Sequence, residues 1–313
     1  MTAQHDVVIR TTELVKDYGS VRALDGVDLE VRRGEVFGFL GPNGAGKSTT
    51  IRILLDLLRP TAGTAEVLGV APAVGGPALR ARIGYLPGEL VTQGRHTAGG
   101  LLRHLAALRG GAGLDAIDRL AQRFGLDLDR PTRSLSKGNK QKVGVIQALM
   151  HDPELLILDE PTSGLDPLLQ REFLDCVLEA RDRGASVLMS SHVMSEIEEV
   201  AGRVAIIRAG KIVDVDDVAV LRRRAGQEVT LSFAEPVDPT LFAHLPGVEE
   251  PQVDGTTLTC LLHGEPDALL KAAAAHHVVR WSASDRELED LFLDFYRLPP
   301  TVEQPQEVPV HVS

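Results

Sequence analysis

Along this chain, short apolar runs alternate with stretches in which apolar residues recur every three or four positions. Val7–Thr11 alternates weakly, and Val27–Val31 alternates apolar and acidic residues before the turn Arg32-Arg33-Gly34. Glu35–Leu40 reads as a short buried strand that runs into Gly41. From Ser48 to Leu58, the apolar positions Ile51, Leu54, Leu55 and Leu58 share one helical face, closed by Arg59-Pro60. Residues 96–125 read as helical, punctuated by Gly110-Gly111 and Gly113. A helix over about Ser136–Met150 stops at Asp152-Pro153. The strand Leu155–Leu158, a helix over Pro167–Arg183 and the strand Ala185–Ser190 follow. Strands alternating with helices predict an α/β fold with a mostly parallel sheet covered on both faces. Such sheets bind ligands beyond the C-terminal ends of their strands.

The style changes after residue 224. Glu228–Phe233 and Thr256–Leu262 read as strands, Pro266–His276 as an alanine-rich helix, His277–Trp281 as a strand and Asp285–Tyr296 as an amphipathic helix: a small α+β module. The proline-bearing end, Leu298 to Ser313, reads as disordered. Charge marks the same division. Residues 1–224 hold 29 Lys+Arg and 29 Asp+Glu, whereas residues 225–313 hold 4 against 15, which is the whole net charge of −11. The expected domains are therefore 1–221, 225–297 and a tail over 298–313. Arg222-Arg223-Arg224, at the boundary, reads as a solvated helix end, with contact to anionic lipid or phosphate as the minor reading.

Composition removes several function classes. No run approaches the ~20 apolar residues of a membrane-spanning helix, and Met1–Arg10 has no apolar core of a signal peptide. A neutral first part and an acidic end argue against nucleic acid as a partner. The two cysteines, Cys176 and Cys260, match no metal or redox spacing and read as buried, reduced thiols.

Three motifs carry chemistry. Gly41-Pro42-Asn43-Gly44-Ala45-Gly46-Lys47-Ser48 fits the phosphate-loop pattern G-x-x-x-x-G-K-[ST], after a strand and opening a helix. Its glycines allow backbone N–H groups to turn toward phosphate oxygens, and the helix N-terminus adds positive potential. Lys47 is placed for the β- and γ-phosphates, the Ser48 hydroxyl for Mg²⁺, and Thr49 for a further phosphate contact. Leu155–Leu158 ends in Asp159-Glu160: one carboxylate placed for Mg²⁺, the other to orient or deprotonate an attacking water. Ser190-Ser191-His192 ends another apolar strand, and His192 is a candidate partner of the γ-phosphate or that water.

With these motifs in order, the sequence resembles the nucleotide-binding subunits of ABC transporters over roughly residues 7–215. Leu135-Ser136-Lys137-Gly138-Asn139-Lys140-Gln141 stands where that family has its LSGGQ signature, and Ser163-Gly164-Leu165-Asp166 resembles its D-loop. His192 resembles the switch histidine. Tyr18, ahead of Val21-Arg22-Ala23-Leu24, resembles the aromatic that stacks on adenine. The resemblance implies a P-loop NTPase cassette: a mostly parallel core, an antiparallel β part and a helical subdomain at about 88–152. It implies ATP and Mg²⁺ as cofactors, Glu160 and His192 as catalytic groups, and head-to-tail pairing with a second copy. Ser136 and Gly138 of one copy then cap the ATP held by Lys47 of the other, and Asp166 reports across the interface.

Two departures from the family pattern stand out. Lys137 replaces a signature glycine and is expected to point into solvent. Gly88 stands where the family's Q-loop glutamine follows Tyr85-Leu86-Pro87, with Glu89 next as the residue able to reach the site. The C-terminal module and Leu288–Leu293 resemble the drug and antibiotic exporter branch. That branch implies ATP-driven export of a drug, antibiotic or other hydrophobic compound through a separate membrane permease, at the cytoplasmic face of the cell membrane. Two readings compete with it: a soluble ABC ATPase acting on ribosomes or DNA, and the ATPase of an importer.

Overall fold

The computed structural model describes residues 7–91, 96–286 and 288. The chain opens with two 12-residue strands, β1 (Val7–Tyr18) and β2 (Val21–Arg32), paired antiparallel around Gly19-Ser20. They outrun the alternation that marks them. Glu13 sits at φ 49° and the register shifts around Leu14, so the period-two pattern breaks while pairing continues. β3 (Val36–Leu40) is buried at all five positions. A glycine-rich loop leads into α1 (Lys47–Leu54). This helix stops short of Leu58 because Asp56 turns left-handed at φ 60°; Leu58 packs on the core from the loop beyond.

β4 (Ala62–Val67) and α2 (Pro72–Ala81) have no counterpart in the apolar pattern. β4 exposes most of its positions, and α2 is kinked at Gly76 ahead of Pro77. β5 (Ile83–Leu86) follows. The helical segment 96–125 forms two helices, α3 (Ala98–Leu108) and α4 (Ala116–Arg123), because Gly110, Gly111 and Gly113 between them all adopt positive φ. α5 (Lys137–Leu149) is capped by Ser136, whose hydroxyl accepts the Asn139 N–H at 3.3 Å. The unit is completed by β6 (Leu155–Asp159), α6 (Pro167–Asp182), β7 (Ser186–Ser191), α7 (Met194–Val200), β8 (Arg203–Arg208) and β9 (Lys211–Asp217).

β6 and β7 are buried throughout, as strands covered on both faces must be. The six-stranded sheet runs β5-β6-β7-β3-β8-β9, parallel except for the β9 edge. A second, antiparallel sheet runs β2-β1-β4. Phe37, Phe39, Ile51, Leu54, Ile157 and Leu188 share one core with Leu24, Val27 and Leu29 of the hairpin. Because β3, β7 and β6 are neighbours, the loops after all three open at one sheet end. Cys176 is buried in α6, and burial pushes its thiol up to about 12.

The chain separates into two compact units, Met1–Leu221 and Arg222–Ser313, with the division inside α8 (Val218–Ala225). The second unit is an antiparallel sheet, β11-β12-β10-β13, formed by β10 (Gln227–Phe233), β11 (Val248–Asp254), β12 (Thr257–Leu262) and β13 (Val278–Asp285). α9 (Asp267–Ala273) supplies Leu269 to a core with Val229, Leu231, Phe242 and Leu258. β13 runs through Asp285, so the helix expected from that residue does not begin there. The rest of that helix, save Arg286 and Leu288, and the tail from Leu298 lie outside the described residues. Among the described residues, no helix is long and apolar enough to cross a membrane.

Candidate active site

The loop after β3 is shaped by positions that admit no side chain. A methyl group on Gly41 would lie 2.5 Å from the Ile207 carbonyl oxygen, and one on Gly46 would lie 2.6 Å from Leu24 Cδ2. Gly44 and Gly46 also hold φ of 81° and 118°, which glycine alone adopts cheaply. The chain therefore wraps closely before α1 and leaves Lys47 only 4% exposed. The Lys47 ammonium donates to the carbonyls of Gly41 and Pro42 and lies 3.5 Å from Glu160 Oε1. Burial lowers its pKa, and the nearby Glu160 and Asp159 carboxylates oppose that shift. A buried ammonium in a glycine loop at a helix N-terminus is a seat for phosphate.

Asp159 ends β6 and is 5% exposed; its Oδ1 accepts from Ser190 Oγ of β7 at 2.7 Å. Glu160 adopts φ 47°, and its N–H donates to the Ser190 carbonyl at 3.2 Å. This left-handed turn aims the side chain toward Lys47 and toward His192 Nδ1, 3.4 Å from Glu160 Oε1. A cleft of about 430 Å³ joins Asn43, Ser48, Arg52, Glu89, Asp159 and Glu160. Gly88 closes its side: a methyl there would stand 3.4 Å from the Asp159 carbonyl oxygen and 3.8 Å from its carboxylate. The phosphate-loop, β6-end and Glu89 expectations thus converge in one cleft.

Ser136, Gly138 and Asp166 do not line it. Ser136 is exposed at the start of α5. Asp166 caps α6, its Oδ1 accepting the N–H groups of Leu168 and Leu169 at 3.1 Å. Gly138 is required by close packing, since a methyl there would meet the Gly164 carbonyl oxygen at 2.8 Å. Lys137 faces solvent, as expected, and makes one further contact. It is exposed, yet its stem lies over Gly164 and its ammonium donates to Ser163 Oγ at 3.1 Å. Tyr18 is 46% exposed at the hairpin end, with the Lys16 ammonium 5.4 Å from its ring centre.

The sequence profile of the ABC transporter family matches residues 24–163. The bacitracin transport ATP-binding protein BcrA of Bacillus licheniformis is 38% identical over 220 residues, 69% of this chain and 72% of that protein. The chain belongs to the ABC transporter family. The probable multidrug ABC transporter ATP-binding protein YbhF of Escherichia coli is 39% identical over 66% of this chain, but this chain spans only 37% of that protein's length. A solved structure of an ATP-binding subunit of an ABC transporter superposes with a TM-score of 0.65 at 31% identity, covering 69% of this chain and 92% of that one. The first unit is accordingly an ABC cassette of the P-loop ATPase fold.

The cleft holds donors of the kind that a nucleotide and a Mg²⁺ ion would take. Ser48 and Asp159 offer the hard oxygens that Mg²⁺ prefers. Among the described residues no three His, Cys, Asp or Glu side chains form a metal cluster. Several contacts at the site escaped sequence reasoning. Ser190 and Gln141 stand within motifs, but the Ser190 bond to Asp159 and the Gln141 Nε2 bond to the Pro161 carbonyl at 2.6 Å reach across to other elements, which no contiguous pattern shows. Beside the nucleotide cleft, and sharing Tyr85, Pro87 and Val91 with it, lies a largely apolar groove of about 420 Å³. Leu57, Leu90, Leu101 and Leu105 line it, and among the described residues its charges are Arg80 and Arg109, with no acid.

Proposed function

We propose that this chain binds and hydrolyses ATP to drive export of a drug, antibiotic or other hydrophobic compound through a separate membrane permease. The observation that carries the reading is the convergence of Lys47, Asp159, Glu160 and His192 at adjacent strand ends. Lys47 and the loop N–H groups bind the β- and γ-phosphates; Ser48 and Asp159 hold Mg²⁺, which neutralises phosphate charge when bound. Thr49 adds a phosphate contact, and Asn43, Gly41, Gly44 and Gly46 shape the cradle. Glu160 accepts a proton from the water that attacks the γ-phosphorus, releasing ADP and phosphate, while His192 orients the same centre. Tyr18 stacks on adenine, and Glu89 takes the polar position beside Gly88.

Ser136 and Gly138 act on the nucleotide of a second copy, with Asp166 at the junction. Their placement outside the chain's own cleft supports this pairing. The apolar groove receives a short helix of the permease. Its arginine-only charge, with Arg109 held below its ordinary value by burial, favours an occupant bearing a carboxylate. The work is done at the cytoplasmic face of the membrane. The names of BcrA and YbhF, bacitracin transport and probable multidrug transport, favour export over the ribosome, DNA and importer readings. The test is a pull-down of tagged Glu160→Gln from membranes of its own cell with ATP and Mg²⁺. A multi-span membrane protein co-purifies, and is lost with Lys47→Ala. Recovery of ribosomal or chromosomal components alone would overturn the transport reading.

A further inference from the structure

Glu196, in the first turn of α7, is gripped by hydroxyls from the loop after β6 and from the last residue of β7. Thr162 Oγ1 donates to its Oε1 at 2.6 Å, and Ser191 Oγ donates to its Oε2 at 2.7 Å. Thr162 follows Glu160 by two residues and is 3% exposed; Ser191 directly precedes His192 and also accepts the Val193 N–H at 2.9 Å. The two hydroxyls reach different oxygens of the one carboxylate, which therefore stands between their elements. A helix N-terminus favours an acidic residue in its first turn, but that does not account for the two hydroxyl partners.

The placement has a consequence for the site. Up to Asp159 and Ser190, β6 and β7 are held by their ladder and by the Ser190–Asp159 bond. Beyond them the paired register ends, with the Glu160 N–H still 3.2 Å from the carbonyl and hydroxyl oxygens of Ser190, and the Glu160 and His192 side chains stand 3.4 Å apart where the chains leave the sheet. Glu160 is left-handed at φ 47°, a conformation that its surroundings must hold. Glu196 joins the loop after β6, two residues past Glu160, to the end of β7, one residue before His192, and does not itself line the cleft.

We propose that Glu196 is a positioning residue of the hydrolytic site, fixing the spacing of Glu160 and His192 through Thr162 and Ser191. The inference rests on the reading of Glu160 and His192 as the hydrolytic pair. It is tested on the full chain by steady-state ATPase kinetics and melting curves of Glu196→Ala and Glu196→Gln, each with and without His192→Ala. Glu196→Ala lowers kcat by about 10–100-fold, the scale of a misplaced catalytic group, while the KM for ATP stays within about twofold. Glu196→Gln restores most of the rate, because its oxygen still accepts from Thr162 and its amide can donate to Ser191 Oγ. In the His192→Ala background the Glu196→Ala loss shrinks, because part of what Glu196 positions is already gone.

A Glu196→Ala protein that melts earlier at unchanged kcat, or loses the same factor in both backgrounds, overturns the proposal. Thr162→Val, which removes one of the two bonds at nearly constant volume, must reproduce the kcat effect if Glu196→Ala does not fold; normal turnover in that variant also overturns it. The two readings fail differently. An inactive wild-type chain removes the ATPase reading and this inference together. An active chain, inactivated by Lys47→Ala and indifferent to Glu196→Ala, removes only this inference.

Discussion

The phosphate-loop cleft and the signature turn belong to one cassette but are built on opposite terms. In the cleft, Lys47 and Asp159 are almost wholly buried, and strand ladders, the Ser190 hydroxyl and neighbouring carbonyls fix them from several sides. At the signature, Ser136 is exposed, its hydroxyl spends itself on a helix cap, and Gly138 is fixed only by the close approach of Gly164. The first region is a finished half-site held by the sheet. The second is an exposed helix start outside the cleft, whose residues cap and pack their own turn and, in the proposed function, meet the nucleotide of another copy. That contrast is the physical argument for a site completed by a second copy.

The largest expected effect breaks the finished half. Lys47→Ala removes the buried ammonium and lowers ATP turnover by about 10²–10³-fold or more, the scale of losing a preorganised charge at a reacting phosphate. ATPase assays with a circular dichroism control check it; normal turnover contradicts the cleft assignment. Next, Ser136→Ala probes the displayed half. Turnover falls about tenfold for the lost hydrogen bond to a charged phosphate, and loss of the cap lowers stability by about 1 kcal/mol. ATP affinity of the dilute monomer, read by titration, stays at the wild-type value. A matching drop in monomer affinity would place the signature in its own chain's cleft and erase the contrast.

The smallest effect concerns the tie between the two regions. Arg123 of α4 donates to Glu172 and, through both terminal nitrogens at 2.7 and 2.8 Å, to Glu179 of α6. It therefore joins α4, in the helical segment ahead of the signature, to α6, the helix between β6 and β7. The pairs are partly solvated, so Arg123→Ala costs only about 1 kcal/mol in thermal or urea unfolding. A loss of several kcal/mol would show that the two regions are not separable in this way.

What was legible in the sequence follows the same division between local and long-range arrangement. Gly41–Ser48, Asp159-Glu160 and His192 are readable because each motif is contiguous and sits at the end of an apolar strand. The α/β alternation is readable because β3, β6 and β7 are buried throughout. β4, α2 and β11 were not, because their exposed or kinked residues carry no apolar period. The Ser190–Asp159 bond and the Thr162–Glu196–Ser191 clamp were invisible for another reason: their partners meet only after β6 and β7 have paired. Lys137, expected in solvent and exposed there, also packs on the Ser163-Gly164 turn, a contact that no local pattern announces.

The most direct test of the half-site account is the solution mass of Glu160→Gln, measured by light scattering with and without ATP and Mg²⁺. The substitution keeps the cleft's shape and removes the proton acceptor, so bound ATP persists. The account predicts an ATP-dependent shift from monomer to dimer, abolished by adding Lys47→Ala or Ser136→Ala. A protein that binds ATP yet keeps the monomer mass, or dimerises equally without nucleotide, would contradict it.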